Sequence, residues 1–165
     1  MPATYEPIAT TTGTGSSGTI SFTSIPGTYT DLVMVFDGAV ASGGTAGLTF
    51  TINNITTGTL YSFTRLQGNG STASSSRGTA ANDGSFGYVS SSNRSTSILN
   101  VMNYSNSTTF KTAIARSLTH DATDGRVGAY VTLFRDTPPV TRLDIIASQN
   151  FTTASTFTLY GIKAA

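Results

Sequence analysis

The chain has no cysteine and no tryptophan, and among its 165 residues there is one histidine, His120, and one glutamate, Glu6. Without cysteine, neither a disulfide framework nor a thiolate metal site can form. Charge is scarce too: Asp, Glu, Lys and Arg make up 10% of the chain, against roughly a quarter in an ordinary soluble domain. The formal net charge is +1, the lysines are Lys111 and Lys163, and Arg65, Arg77, Arg94, Arg116, Arg126, Arg135 and Arg142 form no basic run. Phosphate binding needs clustered cations that release counterions, so no nucleic acid is expected as a partner. The longest apolar run, Leu32 to Phe36, is far too short to cross a bilayer. The start, MPATYEPIATTT, has neither the basic beginning nor the apolar stretch of a secretory signal. No membrane is expected as a partner, and the protein reads as soluble.

What is present is threonine, serine, asparagine and glycine, with 10% aromatic residues spread from Tyr5 to Tyr160. Large apolar residues alternate with small polar ones: Ile20 and Phe22; Leu48, Phe50 and Ile52; Phe157 and Leu159. Period two is the signature of a strand with one buried face. Turn residues interrupt the runs at short intervals, at Ala41–Thr45, Asn54–Thr59, Asn82–Gly84 and Thr123–Gly125. Ile25-Pro26-Gly27 reads as a type II turn, and Pro138-Pro139 as a break between strands. About ten strands in one domain are expected, an all-β antiparallel β-sandwich of jelly-roll type. Residues 1–12 read as an extended N-terminal arm and residues 13–165 as the sandwich domain. The stretch from Gly68 to Ser85, rich in glycine and serine and without apolar anchors, reads as an exposed loop. FKTAIARSLTHDA places Ile114, Leu118 and Ala122 four apart, as in a helix, but the alternation of Phe110, Thr112, Ile114 and Arg116 favours a strand. The runs LVMVF and AYVTLF are apolar on both faces. They fit either central strands covered on both sides, or strands whose outer face meets another protein.

Chemistry finds little to work with. A Ser-His-Asp hydrolase would need His120 as its base, yet no serine lies in a G-x-S-x-G elbow, and a turn histidine is the simpler reading. A carboxylate pair would have to come from Asp31, Asp37, Asp83, Asp121, Asp124, Asp136 and Asp144, most of them beside turns where aspartate bonds its own backbone. Asp121 and Asp124 with Gly125 could offer oxygens to calcium, but the spacing falls short of an EF-hand loop. The Asn-x-Ser/Thr triplets at Asn54, Asn69, Asn93, Asn103, Asn106 and Asn150 arise by chance in so polar a chain. Tyr29, Tyr61, Tyr88, Tyr104 and Tyr130 could form a sugar-stacking surface, although aromatics on strands more often serve a core or an interface. No catalytic, cofactor-binding or metal-binding residue is assigned, and the protein is expected not to be an enzyme.

Five stretches spread in order over the chain, MPATYEPIATTT, SFTSIPGTYTDLVMV, YSFTRLQGNGSTASSSR, MNYSNSTTFKT and STFTLYGIKAA, resemble a family of small virion structural proteins of tailed phages, common in marine and freshwater phage genomes. IPGTYTDL and FTLYGIKAA are the most recognisable. The resemblance implies a virion protein, a capsid decoration or cement protein on the outer surface of the particle that bridges major capsid subunits. A tail-fibre or tailspike-associated module that binds a receptor or carbohydrate is the alternative. As a cement protein it is expected to form a homo-oligomer, a trimer matching a three-fold capsid position, with the N-terminal arm or the Gly68–Ser85 stretch touching the shell.

Overall fold

Period-two alternation becomes burial in the structure, a computed structural model that describes residues 4–120 and 125–163. Its strands, in chain order, are β1 (Tyr5–Thr12), β2 (Thr19–Phe22), β3 (Asp31–Gly38), β4 (Thr45–Ile52), β5 (Tyr61–Gly68), β6 (Ala73–Ala81), β7 (Gly84–Ser90), β8 (Ser95–Met102), β9 (Lys111–His120), β10 (Gly125–Phe134), β11 (Leu143–Ala147) and β12 (Thr156–Ile162). No helix occurs among the described residues. The expected all-β sandwich is what the chain folds into. An eight-stranded sheet, β1-β12-β3-β8-β9-β10-β5-β6, faces a four-stranded one, β2-β11-β4-β7.

The strand order contains a jelly roll with an extension. Setting aside β5, β6, β9 and β10 leaves eight strands; numbered afresh in chain order, they pair as 1-8-3-6 and 2-7-4-5. That is the double-sheet roll of two Greek keys. The hairpin β5–β6 is inserted between β4 and β7, and β9–β10 between β8 and β11. All four add to the same side of one sheet, beyond β8. The insertions therefore widen one layer and leave the roll intact.

The core lies between the layers. Leu48, Phe50 and Ile52 of β4, with Leu143 and Ile145 of β11, face Met34 and Phe36 of β3, Leu99 of β8 and Phe157 and Leu159 of β12. The rings of Phe36 and Phe151 each lie 4.9 Å from that of Phe157. Each such side chain taken from water contributes about 1.5–3 kcal/mol.

Two sequence readings are corrected, the Gly68–Ser85 loop and the Ile25–Gly27 turn, and the N-terminal arm is placed. The Gly68–Ser85 stretch is not a loop throughout: β6 occupies Ala73–Ala81 and pairs with β5 from Gly68↔Ala73 to Tyr61↔Ala81. Its apolar signal is missing because it is an edge strand with nearly every side chain in water, held by backbone pairing instead of burial. Residues 5–12 of the expected arm are built into the other edge as β1, paired with β12. The Ile25–Gly27 turn is not type II, since Gly27 is absent from the residues with positive φ; the Pro26 carbonyl accepts from the Tyr104 hydroxyl. Both edges of the eight-stranded sheet resist further pairing. β1 carries Pro7 and a register break beside it, and β6 offers small polar residues and Arg77.

Candidate interaction face on the appended strands

The extension departs from the usual amphipathicity of a sandwich by carrying apolar residues on its outer face as well as its inner one. Along β9, Lys111, Ala113, Ala115 and Thr119 point inward and are buried, while Ile114 and Leu118 point outward and are exposed. On β10, Tyr130, Thr132 and Phe134 are buried, and Val127, Val131 and Leu133 face water. On β5, exposed Leu66 stands between half-buried Arg65 and Gln67. Register sets these apolar residues side by side: Val127 opposite Leu118, Val131 opposite Ile114, and Ala129 between Arg116 and Leu66. β8 continues the face with Ile98, opposite Arg116, and Met102. Single exposed apolar residues are ordinary; a contiguous patch of them is not.

The surface is gently concave. A trough of about 820 Å³ is lined by Leu66, Ala73, Ser75, Arg116, Val127 and Ala129, among others. A shallower depression of about 350 Å³ lies toward β3 and β12, with Val33, Asn100, Met102, Ile114, Arg116 and Asp31 along its walls. Arg116 borders both, and its guanidinium has no hydrogen-bond or ion-pair partner among the described residues.

Polar groups also occupy the inner side of the same strands. The Arg65 guanidinium donates to the Tyr88 hydroxyl at 3.2 Å, and Arg126 lies over the Tyr88 ring, 5.2 Å from its centroid. Ser117 Oγ donates to the Tyr130 hydroxyl at 3.4 Å, and burial pushes the Tyr130 phenol up. Gln67 Oε1 is buried with no partner among the described residues. β7 reaches across this region closely enough that Gly87 has φ of +133° and a Cβ there would meet Ser117 Cβ at 2.5 Å. At this end of the molecule, polar side chains share the inner layer with Ala115 and Tyr130, and large apolar ones stand on the outer face.

The residues singled out for chemistry are dispersed, each in local structural work. His120 closes β9, with Nδ1 3.1 Å from Asn93 Nδ2. Asp31 accepts from the Asn103 amide at 2.6 Å. Asp37 pairs with Arg94 at 2.7 Å. Asp136 accepts from the Thr137 amide at 2.8 Å. Buried Asp144 receives Arg142 Nε at 2.9 Å on both oxygens, and Ser21 at 2.5 Å. Burial raises the Asp83 carboxyl above its ordinary range, and a hydrogen bond with Thr49 draws it partly back. Glu6 meets Lys163 at 2.9 Å, a hydrogen bond that holds its carboxyl low. The calcium reading of Asp121 and Asp124 lies outside the described residues. Among the described residues, no group of three or more His, Asp or Glu could hold a metal ion. Of the tyrosines proposed as a sugar platform, Tyr61, Tyr104 and Tyr130 are core residues, and Tyr29 and Tyr88 are half-buried.

Sequence reasoning missed two buried polar groups. Lys111 is wholly buried, and its ammonium donates to the carbonyls of Asn106, Thr109 and Thr137 at 2.6, 2.7 and 2.9 Å. Burial draws its pKa down, and Asp136 nearby pulls it back up. Tyr61, also wholly buried, accepts the Ile52 amide at 2.8 Å and donates to the Ile55 carbonyl. Neither carries a local signal, because their partners are backbone groups of distant or irregular segments.

No family model matches the chain, and no curated protein matches it. Among solved structures, a double mutant of alginate lyase Aly36B in complex with alginate tetrasaccharide is 10% identical, covering 83% of this chain and 72% of that chain, with a TM-score of 0.32. Another double mutant of that lyase, with alginate trisaccharide, is 11% identical over 82% of this chain and 72% of that one, at 0.31. A chain of infectious bursal disease virus, Gx strain, is 13% identical over 96% of this chain and 38% of that one, at 0.14. Superpositions this loose carry no argument about activity or ligand.

Proposed function

We propose that the protein is a non-enzymatic virion structural component, a decoration protein that sits on the outer surface of a tailed-phage head and bridges major capsid subunits. The observation that carries this reading is the extension: a complete jelly roll widened by four strands, of which β5, β9 and β10 bury one face against the core and still present large apolar side chains on the other. Folding the roll does not require that exposed apolar face, and a surface for protein contact does. The phage resemblance at IPGTYTDL and FTLYGIKAA adds the setting. A cement protein works by contact repeated over a symmetric shell, so modest single contacts are multiplied by avidity.

The test is to add purified protein to phage shells lacking it. Binding that saturates at a fixed number of copies per capsid, with density for the chain at one position in an electron-microscopy map, supports the reading. Absence of shell binding, with retention of the protein on host cells or host polysaccharide, overturns it in favour of a tail-associated receptor-binding module.

A further inference from the structure

We infer that the outer face of β8, β9, β10, β5 and β6 is the surface through which copies of this chain join one another in a closed oligomer. The inference concerns the free protein and does not depend on what the oligomer decorates.

Size is the first argument for a second copy. Five strands about 4.8 Å apart, at about 3.4 Å per residue, give a footprint on the order of 700 Å² for strands of eight to ten residues. A stable protein–protein contact buries roughly 800 Å² per partner. The face is thus close to a full subunit interface, and broader than a peptide groove needs.

Charge is the second. Arg116 stands among Ile98, Ile114, Leu118 and Ala129 with no partner among the described residues, and Asp31 borders the same depression. Isolated arginine among apolar residues, with few other charges, is the composition of an interface centre. The open edges are the third: Pro7 on β1, and a β6 edge of small polar residues with Arg77, disfavour association by strand addition. Face packing is the route left to the large sheet.

Multi-angle light scattering and native mass spectrometry on the whole chain test this at micromolar concentration. The wild type is expected as a closed two-fold dimer, in which this face meets the same face of its copy. Val131→Glu and Ile114→Glu are expected as monomers. Leu118→Thr keeps a strand-forming residue and Arg116→Ala removes only the central cation, and each is expected to weaken association by about tenfold or more. Circular dichroism with the β signature of the wild type guards against unfolding. A wild-type monomer, or glutamate variants that stay folded and oligomeric, overturns the inference. If the wild type is monomeric and the same variants abolish shell binding, the face belongs to the capsid: this inference then fails while the decoration reading stands.

Discussion

Leu118 on β9 and Val127 on β10 stand directly opposite each other on the outer face of the large sheet, and they are 52% and 59% exposed. A cross-strand apolar pair is worth a few tenths of a kcal/mol to about 1 kcal/mol when packed, and most of that is forfeited to water here. Covering the pair with another chain would recover it. The thermal midpoint of the wild type is therefore expected to rise with protein concentration, as it must when the folded form is linked to association. For Leu118→Thr the dependence is expected to flatten. By contrast, Leu99→Ala opens a cavity in the fully buried core and is expected to cost about 2–5 kcal/mol at every concentration. Differential scanning fluorimetry over a hundredfold range of concentration reads both effects. A wild-type midpoint that does not move with concentration contradicts the expectation.

Gly87 and Ser117 form a tight crossing between the layers. With φ at +133° and no room for a Cβ against Ser117, the position admits glycine for two independent reasons. Gly87→Ala is expected to lower stability by about 2–4 kcal/mol, read as the urea midpoint. Adding Ser117→Gly should recover the steric part and leave the backbone part. An unchanged midpoint in the single variant would show that β7 can shift away from β9.

The roll was legible because its residues obey the rule that apolar faces turn inward. Leu48, Phe50 and Ile52 alternate in the sequence and are buried in the structure. The extension was legible as strand and not as face. In KTAIARSL the inward residues are Lys111, Ala113 and Ala115, while the larger Ile114 and Leu118 point out, so alternation alone gives the period and not the direction. For AYVTLF, the choice between a strand covered on both sides and one with an open outer face rests on what the neighbouring layer covers, which local sequence does not contain. β6 was invisible because ASSSRGTAA has no apolar face at all; its partner, β5, makes it a strand. No constellation of functional side chains was expected, and the surface that stands out is defined by register across β5, β9 and β10.

Lys111 tests how much a buried charge contributes to the fold. Its ammonium is enclosed by three carbonyls at the junction of β9 with the segment after β10. Lys111→Met fills the same path through the core but leaves those carbonyls without their donor. The expected loss is about 2–4 kcal/mol, seen as a lower urea midpoint and faster amide exchange at Lys111 and its strand neighbours. Lys111→Arg cannot place its planar fork as the ammonium sits, and is expected to recover little of the loss. A methionine variant as stable as the wild type would mean that the carbonyls find water instead.

Tyr61 gives the protein an alkaline limit. Its hydroxyl accepts the buried Ile52 amide and donates to the Ile55 carbonyl, and burial is the main reason its pKa is pushed up from 10.0 to about 12. In the unfolded chain the phenol ionises near its ordinary value, while in the folded chain it stays protonated. Between the two values the folded state therefore binds more protons. Stability contributed by the neutral phenol is full below about pH 10 and is lost as pH rises through about 12, a total of about 2–3 kcal/mol. Tyr61→Phe is expected to be less stable than the wild type at neutral pH by about 1–2 kcal/mol, because the Ile52 amide loses its acceptor. The gap should narrow steadily as urea melts are repeated from about pH 9 upward, since only the wild type carries the ionisation penalty. A gap of constant size across that range would place the Tyr61 hydroxyl in contact with solvent and refute the burial that raises its pKa.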